Sequence, residues 1–349
     1  MQSRVPQVQV EEDFLPGEAI VFVLANTFSR GKSLQVGDCY IRRSFAATFA
    51  KNVKTVVGRL SYIAESLLMV YSYRMANNDM ETAVMQWRAE RAERLRTNEK
   101  SWFGLTGLFW LKEGDNTFGS DPTCNFVLPP TAPKKAGAFH FTAGQVTVKA
   151  GPDGKITCNH AELPSRPLHD DQEDEPDFLY LARLIMVVIK RGDSTLIRLW
   201  DIDAPARKAF SGLNFYPYRP EYCFTAQYTG YAPYKTVRTE DIIGEVHDSK
   251  MIGYATFEWE GKKYRLDGED GGDGLFIAFR DKTSAKTTYA GGRYLMTEKP
   301  VNDQVVIDFN KAYNMPCAYA LFATCGLPTK ENILPIPIEA GEMKYQDDH

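Results

Sequence analysis

Residues 308–345, DFNKAYNMPCAYALFATCGLPTKENILPIPIEAGEMKY, decide how the chain is read. They follow Val305-Val306-Ile307, an apolar run of strand type, and then abandon both the alternation of a strand and the three-to-four-residue period of a helix. Asp308, Asn310, Tyr313, Asn314, Cys317, Asn332, Glu339 and Glu342 are set into an otherwise apolar segment. Polar groups buried among apolar ones cost stability unless they find partners. The segment is therefore either a hydrogen-bonded lock on the β-structure before it or the lining of a site.

Working back from there, residues 101–307 read as short strands divided by turns. Apolar runs such as 126–128, 138–141, 145–148, 178–190, 195–200, 222–228, 252–259, 275–280 and 292–296 are bounded by Gly, Pro, Asp or Asn. The composition agrees: 18 Tyr, 20 Phe, 26 Gly and 19 Pro favour strands and turns over a helical bundle. Ala204-Pro205 is a natural boundary. The expected fold is mainly β. A β-sandwich fills 101–203, and a β-barrel or second sandwich fills 204–349, closed by the irregular tail.

Residues 1–100 read as an N-terminal helical extension, of which 1–79 stand apart from the rest. Between 42 and 74, Phe45, Phe49, Val53, Val56, Leu60, Ile63, Leu67 and Tyr71 fall at helical spacing among six Arg and Lys and a single acid, Glu65. A basic amphipathic helix of this kind docks on the body of a protein, touches a membrane surface, or serves in organelle targeting. A second helix is expected over 79–97, capped by Asp79, with Val84, Trp87, Arg91 and Leu95 along one face.

Forty-four per cent hydrophobic and 25% charged residues are those of an ordinary globular protein. A net charge of −4 argues against a broad nucleic-acid-binding surface. No apolar run is long enough to span a bilayer. The six cysteines are dispersed and no N-x-S/T sequon occurs, as in a reducing, cytoplasmic setting.

Several stretches resemble the DUF1684 family, which is of unknown function. They are WRAERAERL, SWFGLTGLFWLKEGDNTFGSDP, KRGDSTLIRLWD, Phe210 with Gly212, FRDKTSAKTTYAGGRYL and the tail quoted above, spanning about residues 87–345. Met315 and Gly326 stand where that pattern has Pro. The Phe118-Gly119-Ser120-Asp121 turn, with the strand ending Arg198-Leu199-Trp200-Asp201, is also similar in outline to a forkhead-associated (FHA) sandwich. The phosphopeptide-reading Arg, Ser and His of that fold have no counterparts, so phosphothreonine binding does not follow.

Catalytic signatures are absent: there is no GxSxG, HExxH or GxGxxG. Gly31-Lys32-Ser33 lacks the upstream Gly of a P-loop, and no metal or cofactor site is expected. The acidic run 170–177, DDQEDEPD, and the Asp267–Asp273 cluster among glycines read as solvated loops. Arg191-Gly192-Asp193 reads as a β-turn. Cys317 and Cys325 are read first as small buried hydrophobes, with a disulfide the alternative in an oxidising compartment.

The richest constellation joins Tyr289 and Arg293 to the tail residues Asp308, Asn310, Tyr313, Asn314, Cys317 and Glu342. If these faces meet at a barrel mouth, they bind a small polar or anionic molecule, with Arg293 on its acidic group. A hydrolase using Asp308 or Glu342 as acid or base is the alternative; an interaction module acting through the FHA-like sandwich is another. The competing structural outcome is a buried Arg–Asp pair that ties the tail down.

Overall fold

The computed structural model describes residues 78–345; the basic stretch 42–74 lies outside them. The described residues cluster as one compact unit. Helix α1 covers 78–97. Its inward side carries Val84, Arg88, Arg91 and Leu95, one or two helical turns apart.

The mainly-β class holds, in three sheets. Strands β1 (Leu105–Trp110), β9 (Ser194–Asp201), β8 (Leu184–Arg191), β7 (Leu179–Leu181) and β6 (Ile156–Cys158) form a five-stranded sheet in that order. Strands β3 (Phe126–Val127), β2 (Gly114–Gly119), β4 (Gly137–Thr142) and β5 (Gln145–Ala150) form a four-stranded one. Phe118, Phe126 and Phe139 of the smaller sheet pack with Leu184, Met186, Val188, Ile197 and Leu199 of the larger.

The other face of the five-stranded sheet is also covered. Ile185, Val187, Ile189, Leu196 and Trp200 pack against Tyr294 and the tail residues Met315, Cys317, Ala320, Ala323 and Cys325. Burial on both faces explains why Leu184-Ile185-Met186-Val187-Val188-Ile189 is continuously apolar instead of alternating.

After the short helix α2 (Pro205–Ala209) comes a seven-stranded sheet. Its order is β15 (Gln304–Asp308), β10 (Cys223–Glu240), β11 (Val246–Trp259), β12 (Lys262–Asp270), β13 (Leu275–Phe279), β14 (Arg293–Met296), β16 (Tyr313–Asn314). Its core gathers Ala255, Phe257, Leu266, Ile277, Phe279, Leu295 and Ile307. The sheet is open: among the described residues no hydrogen-bonded ladder joins its end strands, so no closed barrel forms. Those ends are nonetheless joined in the chain by residues 309–312.

Phe309, fully buried in that connection, meets Phe257 and Phe279 edge-on with ring centroids 5.6 and 5.3 Å away, and Phe224 at 5.9 Å. Phe309→Ala is expected to cost about 3–5 kcal/mol, read as a lowered urea midpoint at unchanged slope; a midpoint unchanged from the parent protein would show that the connection does not anchor the sheet.

Candidate functional site

The tail side chains singled out by sequence divide among separate hydrogen-bond networks. In the first, Arg293 at the start of β14 is 1% exposed. Its Nη2 donates to Asp281 Oδ2 at 2.7 Å and to the Ile338 carbonyl at 2.9 Å, and its Nη1 donates to the Ala340 carbonyl. The partner Asp281 accepts from the Thr283 backbone at 2.6 Å. A buried charge needs this degree of compensation, and both terminal nitrogens of the guanidinium are taken up by it, while Nε has no acceptor among the described residues.

In the second network Asp308 is half-buried and caps the turn after β15, accepting from the backbone and side chain of Asn310 at 3.0 Å. Asn310 then pairs with both backbone groups of Arg219, at 2.9 and 3.0 Å. An amide is suited to this, because it offers one acceptor and two donors and so can meet a backbone N–H and a carbonyl together.

The third network is built on Glu342, which is fully buried. Arg91 of α1 donates to it at 3.0 Å, the Asn314 side chain at 3.0 Å, the Asn314 backbone at 3.2 Å, and the Tyr319 hydroxyl also donates. The Arg91 guanidinium lies 4.4 Å from the centre of the Tyr313 ring. Gly341, with φ +79°, places Glu342 there; a side chain at 341 would come within 2.6 Å of the Phe309 and Ala312 carbonyls. Arg88 completes the seam, donating to the carbonyls of Tyr216 and Asn310 at 3.0 and 3.2 Å.

Tyr289 lies outside strand structure, and its hydroxyl donates to the Cys317 carbonyl at 3.1 Å. Burial raises its phenol well above the ordinary range. The structure thus brings Asn314, Tyr313 and Glu342 together but holds Asp308 and Asn310 in a separate network from Arg293.

Two runs expected to be solvated are partly interior. Asp170, Asp171 and Asp177 pair with Lys190, Arg191 and Arg166 at 2.8, 2.7 and 2.6 Å. Asp267 is buried. Burial opposes its charge, but donors on Arg265, Lys235 and Tyr231 outweigh that and hold its carboxyl below the usual range. Each of these carboxylates faces at least one cation, on its own strand or brought in by the fold, which net charge along the sequence does not show.

A further cluster escaped the sequence reading. Arg198 on β9 is 7% exposed and lies among Ile185, Val187, Leu196 and Trp200. Its Nη2 donates to Thr324 Oγ1 at 2.7 Å, and Arg191 Nε donates to the same oxygen at 2.9 Å. Arg191 also pairs with Asp171, whereas Arg198 makes no ion pair among the described residues. The Arg198 Nε and Trp200 Nε1 hydrogens have no acceptor. The rings of Trp102 and Trp200 stand 5.6 and 5.8 Å from the guanidinium. Burial, then the charge of Arg191, pushes Arg198 down to about 10, against a smaller pull from Asp171. The sequence signal was the alternation Leu196-Arg198-Trp200, a charge in an inward-facing register.

Residues 208–343 match the family described as "Protein of unknown function (DUF1684)". The motifs quoted from 87 to 201 precede that match. No curated protein matches the chain. Among solved structures it is similar to the solution NMR structure of an uncharacterized protein of Haloarcula marismortui, at 28% identity over 40% of this chain and 79% of that one, with a TM-score of 0.34.

Arg293→Ala leaves Asp281 and two carbonyls facing a cavity and is expected to destabilise by about 3–5 kcal/mol. Arg293→Ala combined with Asp281→Ala should lose less than the two single losses added together. Denaturant titration of the four proteins tests this, and strict additivity would refute the pair.

Proposed function

We propose that the protein binds a small oxyanion, a carboxylate or phosphate group, beside Arg198, Arg191 and Thr324, where the tail covers the five-stranded sheet. The reading keeps the ligand class that the sequence pointed to and moves the site. One observation carries it: Arg198 is a buried guanidinium with no carboxylate and with an unspent donor. An isolated buried cation costs several kcal/mol, and a ligand oxyanion removes that cost.

The chemistry of the site is one-sided. Both lone pairs of Thr324 Oγ1 are occupied by guanidinium donors, so its own hydrogen points away as a further donor. Donors are in excess and acceptors are used up, the opposite of a cation site. Arg191, with a side chain 21% exposed, marks the approach from solvent. A planar guanidinium takes a carboxylate or phosphate edge-on through two parallel hydrogen bonds.

The full engagement of Glu342 with Arg91, Asn314 and Tyr319 favours binding over acid–base catalysis at that residue. The facing four- and five-stranded sheets over one core support the FHA-like outline, with the anion site on the outer face of that sandwich.

Without ligand, Arg198→Met is expected to be neutral or stabilising by about 1–4 kcal/mol, since it replaces an uncompensated charge by an apolar chain of similar length. The parent protein should melt higher in inorganic phosphate or succinate than in chloride of equal ionic strength. The gain is about 2.7 kcal/mol at a hundredfold excess over Kd, and Arg198→Met should abolish it. A parent protein indifferent to both anions, together with a destabilised Arg198→Met, would refute the site.

A further inference from the structure

We infer that Cys317 and Cys325 form a reversible disulfide and that its closure alters the oxyanion site beside it; the second half of this inference rests on the anion reading above. Both cysteines are free and buried, 8% and 4% exposed. The Cys317 backbone N–H donates to Cys325 Sγ at 3.2 Å, and the two thiols lie within hydrogen-bonding reach of each other. Cys317 opens the turn Pro316–Ala318, and the chain returns to it eight residues later. The fold already sets Cys325 Sγ against the Cys317 backbone in the reduced protein, so closing the bond asks for little backbone movement.

The pair is chemically asymmetric. A hydrogen bond from the Cys325 thiol holds the Cys317 thiol below its ordinary value against the effect of burial. The same contact, with burial, pushes Cys325 up. Cys317 is therefore the attacking thiolate and Cys325 the resolving thiol. Their shallow exposure admits a small oxidant, and hydrogen peroxide is the class proposed. The Cys317 thiolate attacks one peroxide oxygen, the O–O bond breaks, and hydroxide leaves, giving a sulfenic acid. The Cys325 sulfur then attacks the Cys317 sulfur, the S–O bond breaks, and its hydroxyl leaves with the Cys325 proton as water. Two thiols lose two electrons in total, and the peroxide gains them.

The link to the anion site is positional. Cys325 directly follows Thr324, the residue to which Arg191 and Arg198 both donate. Closing the bond fixes Cys325 against Cys317 and with it the Thr324 hydroxyl that the two guanidinium groups share, so the affinity for an external oxyanion should change severalfold.

Two readouts separate the halves. After peroxide treatment, unfolding, alkylation and tryptic digestion, peptide 312–330 contains both cysteines and no internal cleavage site. It should lose two hydrogens and take no alkyl group until it is reduced; Cys325→Ser should leave it alkylated at Cys317 or further oxidised there. A peptide that takes two alkyl groups after oxidation overturns the disulfide. Phosphate-induced thermal shifts are then compared for the reduced and oxidised parent protein and for Cys317→Ser. Shifts equal in both redox states overturn the coupling while sparing the anion site. An absence of shift in every state, with the disulfide formed, overturns the anion reading and with it the coupling, and leaves the disulfide standing.

Discussion

The ion pair of Arg293 with Asp281 is the constraint on which the rest of the C-terminal architecture depends. One guanidinium takes a carboxylate from the loop before β14 and two main-chain carbonyls, Ile338 and Ala340, from the last turn of the tail. That fixes the chain entering Gly341, and so fixes Glu342, which receives Arg91 from α1. A relay of buried charges thus runs from sheet to tail to helix. Replacing such pairs by apolar groups is often neutral for stability, whereas removing one partner is costly. Their contribution here is to single out one placement for a segment with little regular structure of its own.

The buried arginines are instructive when set side by side. Arg91 and Arg293 each face a carboxylate, and Arg88 faces two carbonyls. Arg198 faces a hydroxyl already shared with a second cation. All four are drawn into the protein by the apolar surface along their stems, but of the four only Arg198 donates to neither a carboxylate nor a main-chain carbonyl among the described residues. Burial of an arginine alone is a poor sign of a site, and so is an unpaired Nε, which Arg88 and Arg293 share with Arg198; the kind of acceptor it meets separates a structural arginine from one awaiting an anion.

The mainly-β class and the helix at 79–97 were legible because they rest on local periodicity. The tail's importance was legible too, from polar residues in an apolar run. Their partners were not. The sequence groups Asp308 with Arg293 because both are charged and lie on strands consecutive in the chain, yet Asp308 serves Asn310 two residues away and Arg293 serves Asp281. Local turn chemistry outcompeted the long-range pairing. Asp177 and Asp267 were read as solvated because their stretches are acidic. Arg265 meets Asp267 from two places back on the same strand, a period-two spacing present in the sequence, but the approach of Lys235 and Tyr231 from β10 is set by the fold and is invisible in composition. Arg191-Gly192-Asp193 is the turn between β8 and β9 as its composition implies, and its Arg is already engaged by Asp171 and Thr324.

The open sheet explains why the tail has to be so irregular. Strands β15 and β16 lie at opposite edges, yet four residues join them, so the sheet curls until its edges nearly meet. A regular strand there would close the ladder and bury its own side chains within one core. The tail instead sends Phe309, Ala312, Leu334, Ile338 and Ala340 into the seven-stranded core, and Met315, Cys317, Ala320, Ala323 and Cys325 onto the five-stranded sheet. Ala318 and Tyr319 go to the cluster holding Leu95 of α1. A segment that serves three cores cannot keep a single period, and side chains tie it down instead: Asn310 bonds the backbone of Arg219, Asn332 that of Asp267, and Asn314 that of Met343 within the tail. The same demand places Thr324 and Cys325 between the two sheets, where a change in either is felt on both sides.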